Sequence, residues 1–234
     1  MPNKRNSLKK PLLNHLHLEN LPYQNILEKQ LYYHNQLKEK IKHPVHTLIT
    51  CVHKPVFTLG KNANTKNLYE NENHLKKLGF EVVQINRGGD ITYHGPGQLV
   101  VYPILDLTQL QIGPKKYVNL LEKSIIKCLN SYQIKTQTNE INPGVWLRDP
   151  WRKIAALGIK ISQGITLHGA AINLNTNLDH YNYINPCGLD DMEVTSLQKE
   201  IQSSVNEITF LQLFIESFLE HFSYSFAKHK IKKN

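Results

Sequence analysis

Cys187 is the residue whose local sequence best suits it to covalent chemistry. It stands in Asn-Pro-Cys-Gly, a turn where a thiol can be presented to a cleft, although loop cysteines are often inert. A thiol with an ordinary pKa near ~8.5 is mostly protonated at neutral pH, so a nucleophilic role needs a nearby cation or base. Lys153, His94 and His168 could supply one. Lys153 heads an otherwise apolar run, where a lysine can equally be a strand-edge residue with a snorkelling stem. His168 lies in Leu-His-Gly-Ala-Ala-Ile-Asn. There Gly169, Ala170 and Ala171 leave the main chain open, so an acyl chain or a carbonyl could lie against N–H groups. Close strand packing would call for the same small residues.

A second chemical stretch runs from Arg87 to Pro103, RGGDITYHGPGQLVVYP. Gly88, Gly89, Gly95, Pro96 and Gly97 punctuate the backbone too densely for a simple hairpin turn. Glycines let N–H groups approach a ligand, while Arg87 and His94 supply polar ends and Thr92 and Tyr93 supply hydroxyls. An ordinary Gly/Pro loop with a stray histidine would look the same in isolation.

Strands and helices must position these groups. The Gly-rich stretch is flanked by the apolar runs Phe80 to Asn86 and LVVYPIL, both read as strands. Residues Tyr23 to His43 have a helical apolar face. HTLITCVH (His46 to His53) alternates as a strand, and Pro55 separates it from VFTLG, the expected hairpin partner. NENHLKKLGF reads as a short helix stopped at Gly79. Gly113 and Pro114 open a helix of about Lys115 to Tyr132, and GVWLRD, KIAALGIKI and ITLHGAAINLN follow as three strands. A last amphipathic helix covers Ile208 to Phe222. Cys51 sits in a strand and Cys128 at helical spacing with Leu121 and Ile125, so both read as core residues. Without regular βαβ alternation, the expected class is mixed α/β (α+β), a largely antiparallel sheet flanked by helices. The expected organisation is a loose basic segment over 1–20, one catalytic domain over 21–225 and a basic, solvated tail over 226–234.

Composition narrows the partners. The chain has 234 residues, 40% hydrophobic, with 28 basic and 19 acidic side chains for a net charge of +9, which favours acidic partners. No zinc-finger or helix-turn-helix spacing and no stripe of arginines with aromatics points to nucleic acid. No apolar run reaches the roughly 18 residues of a membrane span, and Asn14, His15 and His17 break what would be a signal core. Three scattered cysteines argue against a disulfide framework and for a reducing compartment, so a cytoplasmic location is expected.

Taken together and in order, RGGDITYHGPGQLVVYPI, GVW, RKIAALGIKIS, TLHGAAIN, NPCG and VTSL resemble the octanoyl-[acyl carrier protein]:protein N-octanoyltransferases, also called lipoate-protein ligase B. The resemblance covers about Val56 to Leu197. It implies a biotin/lipoate ligase-like catalytic domain with Cys187 as the acyl-carrying nucleophile and Lys153 as its partner, with His168 as possible support. The implied substrate site comprises Arg87, Gly88, Gly89, Asp90, Ile91, Thr92, Tyr93 and His94 with Ala156, Leu157, Gly158, Gly169, Ala170 and Ala171. Octanoyl-acyl carrier protein would be the donor. Lipoyl domains of 2-oxoacid dehydrogenase complexes and the glycine cleavage H protein would be acceptors, with no cofactor or metal.

Two other chemistries compete. An ATP-dependent lipoate or biotin ligase should carry a phosphate site, yet there is no Walker pattern, and RGGD stands where a biotin ligase has Gly-Arg-Gly-Arg. A cysteine hydrolase pairing Cys187 with His94 or His168 would use the same residues, with water replacing the acceptor amine.

Overall fold

The computed structural model describes residues 12–40, 45–140, 142–186 and 193–232. Leu12–Leu21 is a strand, β1, so the expectation of a loose segment through residue 20 is corrected. His15 Nε2 and His17 Nδ1 each lie 2.8 Å from Thr50 Oγ1. The two histidines are therefore buried with a partner, which is how so polar a segment enters a sheet. Helix α1 (Tyr23–Lys38) follows, then β2 (His46–His53), β3 (Val56–Leu59), α2 (Glu72–Lys77), β4 (Glu81–Gln84), β5 (Ile91–His94) and β6 (Gln98–Ile104). The second half contains α3 (Pro114–Asn130), β7 (Gln137–Thr138), β8 (Gly144–Leu147), β9 (Arg152–Ser162) and β10 (Ile165–Asn173). It ends with β11 (Glu193–Val194), α4 (Leu197–Ile201), α5 (Glu207–His221) and β12 (Ser225–Lys232). Helix starts follow local chemistry: Pro114 opens α3, and Asn206 Oδ1 accepts from Thr209 N–H at the start of α5.

The main sheet runs β12-β1-β2-β6-β10-β9-β8-β7, with β11 added beside β9. Pairing is antiparallel from β2 to β7, while β12, β1 and β2 are mutually parallel and β11 is parallel to β9. The chain's last strand thus pairs with its first, Leu12 opposite Ser225. The expected tail over 226–234 is corrected to a sheet strand through Lys232. A second correction concerns β3. It is not a hairpin partner of β2 but the centre of a separate three-stranded sheet, β4-β3-β5. That sheet draws β5 out of the Gly-rich stretch, between the two runs read as strands.

The largest apolar cluster joins Leu99 and Val101 of β6 and Ala170 and Ile172 of β10 to Leu121 and Ile125 of α3 and Phe210, Phe214 and Phe218 of α5. A second cluster on the opposite side gathers Val100, Tyr102 and Ala171 with Ile26 and Leu37 of α1. Phe57, Phe80 and Tyr93 form the core of the small sheet.

Candidate active site

A cavity of about 640 Å³ opens where the small sheet meets β6, β9 and β10, within the usual size of small-molecule sites. The Gly-rich turn reaches it by lying across β9. Gly88 N donates to the Ile159 carbonyl at 3.2 Å. Gly158 leaves room for that approach, since a Cβ there would stand 2.9 Å from Arg87 Cδ. Arg87 is itself clamped, donating through Nε and Nη2 to the Thr58 hydroxyl and through Nη2 to the Thr58 carbonyl. Asp90 accepts from Asn64 N and from the Asn67 side chain. These bonds hold the turn to β3 and to the loop that precedes α2.

The cavity wall includes Arg87, Gly88, Gly89, Asp90, Ile91, Thr92 and His94 from the turn and β5, and Lys153, Ala156, Leu157 and Gly158 from β9. His168, Gly169, Ala170 and Ala171 of β10 complete this part of the wall. Tyr93 is the exception and corrects the expected substrate set. It is fully buried, packs on Phe57 and Phe80, and its hydroxyl lies 2.8 Å from His180 Nδ1. Strand alternation sends it away from Thr92 and His94.

Lys153 is 9% exposed, with its ammonium 4.5 Å from the centroid of the Trp146 ring, a cation–π distance. Trp146 is fully buried and its Nε1–H donates to the Asn142 carbonyl at 3.0 Å. Cys187 lies outside the described residues. The chain resumes at Glu193, opposite Arg152, and Val194 pairs with Lys153. Thr195 N donates to the Lys153 carbonyl at 2.9 Å. The other two cysteines are poor nucleophiles. Burial pushes the Cys51 thiol well above its ordinary pKa, and chiefly burial pushes Cys128 up to about 12.

His94 and His168 line the cavity, and His53 is buried behind His94. His94 and His53 have ring centroids 5.5 Å apart, and Tyr23 stacks on His53 at 5.1 Å. Burial first, aided by the charge of Arg87, lowers both His94 and His168 to about 4. Burial and His94 hold His53 well below the ordinary histidine range. All three are neutral near pH 7. His168 adopts a left-handed backbone, φ 58°, inside β10, a conformation that costs a non-glycine residue energy and recurs at functional sites. Sequence reasoning missed Tyr23, His53 and Tyr102, because each sits in an element that reads as ordinary core. Trp146 lay within GVW, but nothing local announced its contact with Lys153.

The fold and cavity define the catalytic domain of the lipoate-ligase class. The Lipoyl protein ligase A/B catalytic domain matches residues 22–223. Among solved structures, one described as lipoate-protein ligase A bound with ATP superposes with a TM-score of 0.69 at 15% identity, covering 96% of this chain and 90% of that one. The bipartite lipoate protein ligase of Thermoplasma acidophilum superposes with a TM-score of 0.68 at 15% identity, covering 95% and 88%. The sequence narrows the class further. Octanoyltransferases are similar at 41% identity in Bacteroides fragilis, over 80% of this chain and 88% of that protein. The mitochondrial octanoyltransferase of Arabidopsis thaliana is 40% identical, over 76% of each. An octanoyltransferase of Porphyromonas gingivalis is 44% identical over 75% of this chain, a match that spans only 37% of that protein's length. The chain belongs to the octanoyltransferase family and is an enzyme of that family.

Proposed function

We propose that this enzyme moves an octanoyl group from octanoyl-acyl carrier protein to Cys187 and then to a lysine of a lipoyl domain, on 2-oxoacid dehydrogenase complexes or the glycine cleavage H protein. In the first step the Cys187 thiolate attacks the donor thioester. Its new C–S bond replaces the old one, and the departing carrier thiolate takes a proton from the Lys153 ammonium. Neutral Lys153 then removes a proton from the incoming amine as its C–N bond forms, and Cys187 departs as the thiolate, which restores the starting thiolate–ammonium pair. Thioester exchange is nearly balanced, and the final amide drives the sequence without nucleotide hydrolysis.

The observation that carries this reading is Lys153. A nearly buried ammonium against Trp146 lines the cavity beside Ala156, Gly158 and the neutral histidines His94 and His168, and the segment bearing Cys187 leads into the strand paired with it. Wild-type protein mixed with octanoyl-carrier protein in ATP-free, chelator-treated buffer should gain one octanoyl group, mapped to Cys187 by mass spectrometry. Cys187→Ser should gain none. An adduct on Cys51 or Cys128, or a strict need for ATP and Mg²⁺, would sink the assignment.

A further inference from the structure

We propose that Gln98 is a positioning residue for acyl transfer: it holds His94 as the Nδ1–H tautomer, so that the Nε2 lone pair accepts a hydrogen bond from the incoming amine. The inference rests on the acyl-transfer reading of the cavity.

The network forces the tautomer. Fully buried Gln98 donates through Nε2 to the Tyr93 carbonyl at 3.2 Å and to Asn173 Oδ1 at 2.9 Å. Asn173 is oriented independently, because its Nδ2 donates to the Thr195 carbonyl at 3.0 Å. A carbonyl only accepts, so the Gln98 nitrogen must lie on that side, leaving Oε1 2.8 Å from His94 Nδ1. That oxygen also only accepts. The His94 proton therefore sits on Nδ1, and Nε2 carries a lone pair. The ring lines the cavity, and Nε2 has no hydrogen-bond partner among the described residues.

Register sets the groups that hold this acceptor beside the start of β9, which carries Lys153. Asn173 lies opposite Gln98, and Ile172 opposite Ala155, two residues from Lys153. With the Thr195 N–H bond to the Lys153 carbonyl, a continuous path runs from the Lys153 main chain through Thr195, Asn173 and Gln98 to His94. The attacking amine has one N–H to lose to Lys153 and another to place. His94 accepts the second and aims the nitrogen lone pair at the thioester carbon, without itself taking a proton.

The test uses protein labelled with ¹⁵N-histidine, His94 being assigned by comparison with His94→Gln. Its ring nitrogens should report the Nδ1–H tautomer in wild type and lose that preference in Gln98→Leu. In single-turnover assays Gln98→Leu should still form the octanoyl-enzyme but discharge it to the acceptor lysine at least ~10-fold more slowly. Gln98→Glu keeps an oxygen towards Nδ1, hence the tautomer, and loses the donor to the Tyr93 carbonyl and Asn173 Oδ1. It should keep the Nδ1–H signature and discharge the octanoyl-enzyme faster than Gln98→Leu does. Should Gln98→Leu fail to fold, the tautomers of wild type and Gln98→Glu decide. Nε2–H in wild type, or loss of the Nδ1–H tautomer in Gln98→Glu with no change in discharge rate, overturns the proposal. A wild-type protein that forms no octanoyl-enzyme overturns the reading beneath it. An octanoyl-enzyme that every Gln98 variant discharges at the wild-type rate overturns the role of Gln98 alone.

Discussion

Strands β6 and β10 serve two different purposes on their two sides. On one, Leu99, Val101 and Ile172 join Leu121, Ile125, Phe210 and Phe214 in an all-apolar cluster. On the other, Gln98 and Tyr102 share their strand with the wall of a cavity that also holds Arg87, His94, Lys153 and His168, all buried. Burying apolar area stabilises the fold, whereas burying a polar group costs free energy unless a partner is built in. The first side therefore tolerates any well-packed hydrophobe. The second requires a particular partner for each polar atom, and where none stands among the described residues, as at His168 Nδ1, the cost is borne at the site. Stability and chemistry are thus separable across a single sheet.

The sharpest way to break that separation is Lys153→Met. Met keeps much of the stem against Trp146 but removes the charge. Single-turnover rates should fall ~10²–10⁴-fold, while the melting temperature stays level or rises. Unchanged rates in both steps would reduce Lys153 to a strand residue and leave His94 or His168 as the base. On the opposite side, Phe214→Ala should show the converse. Denaturant unfolding should lose about 3–5 kcal/mol, with activity per folded molecule retained. A selective loss of activity in that variant would mean the two sides are coupled.

Acid should expose the histidines of both sides together. His46, His94 and His168 are each lowered to about 4 when folded, against about 6.5 in the unfolded chain. Between those values the unfolded state binds more protons, so stability is fully present above about pH 6.5 and drains away as pH falls towards 4. Each contributes at most roughly 3 kcal/mol. His46→Gln and His94→Gln should each flatten the dependence of melting temperature on pH in that window, yet only His94→Gln should also slow octanoyl discharge. His46 sits away from the cavity, between Tyr224 and the Asp106 N–H. The smallest effect belongs to the surface. Lys127 and Glu220 pair between α3 and α5 at half-exposed positions. Lys127→Ala should cost no more than about 0.5 kcal/mol by denaturant titration and leave turnover untouched.

Local pattern was enough to read much of this molecule. Helical spacing marked α3 and α5, alternation marked β2 and β4, apolar runs marked β6 and β8 to β10, and the Gly, Ala and His motifs named most of the wall that meets at the cavity. Those signals are local because propensity, capping and periodicity act within a few residues. Only the tertiary structure decided that β1 and β12, the two ends of the chain, pair in parallel, since strand partnership between distant residues leaves no local trace. It also decided that β3 joins β4 and β5 rather than β2, which turns Tyr93 into the small core and His94 towards Gln98. Lys153 was legible as a lysine in an odd place. Its meeting with Trp146, and the meeting of Tyr23, His53 and His94, depend on separate strands and a helix arriving at one point, because burial and hydrogen-bond geometry are properties of the assembled sheet and not of any one segment.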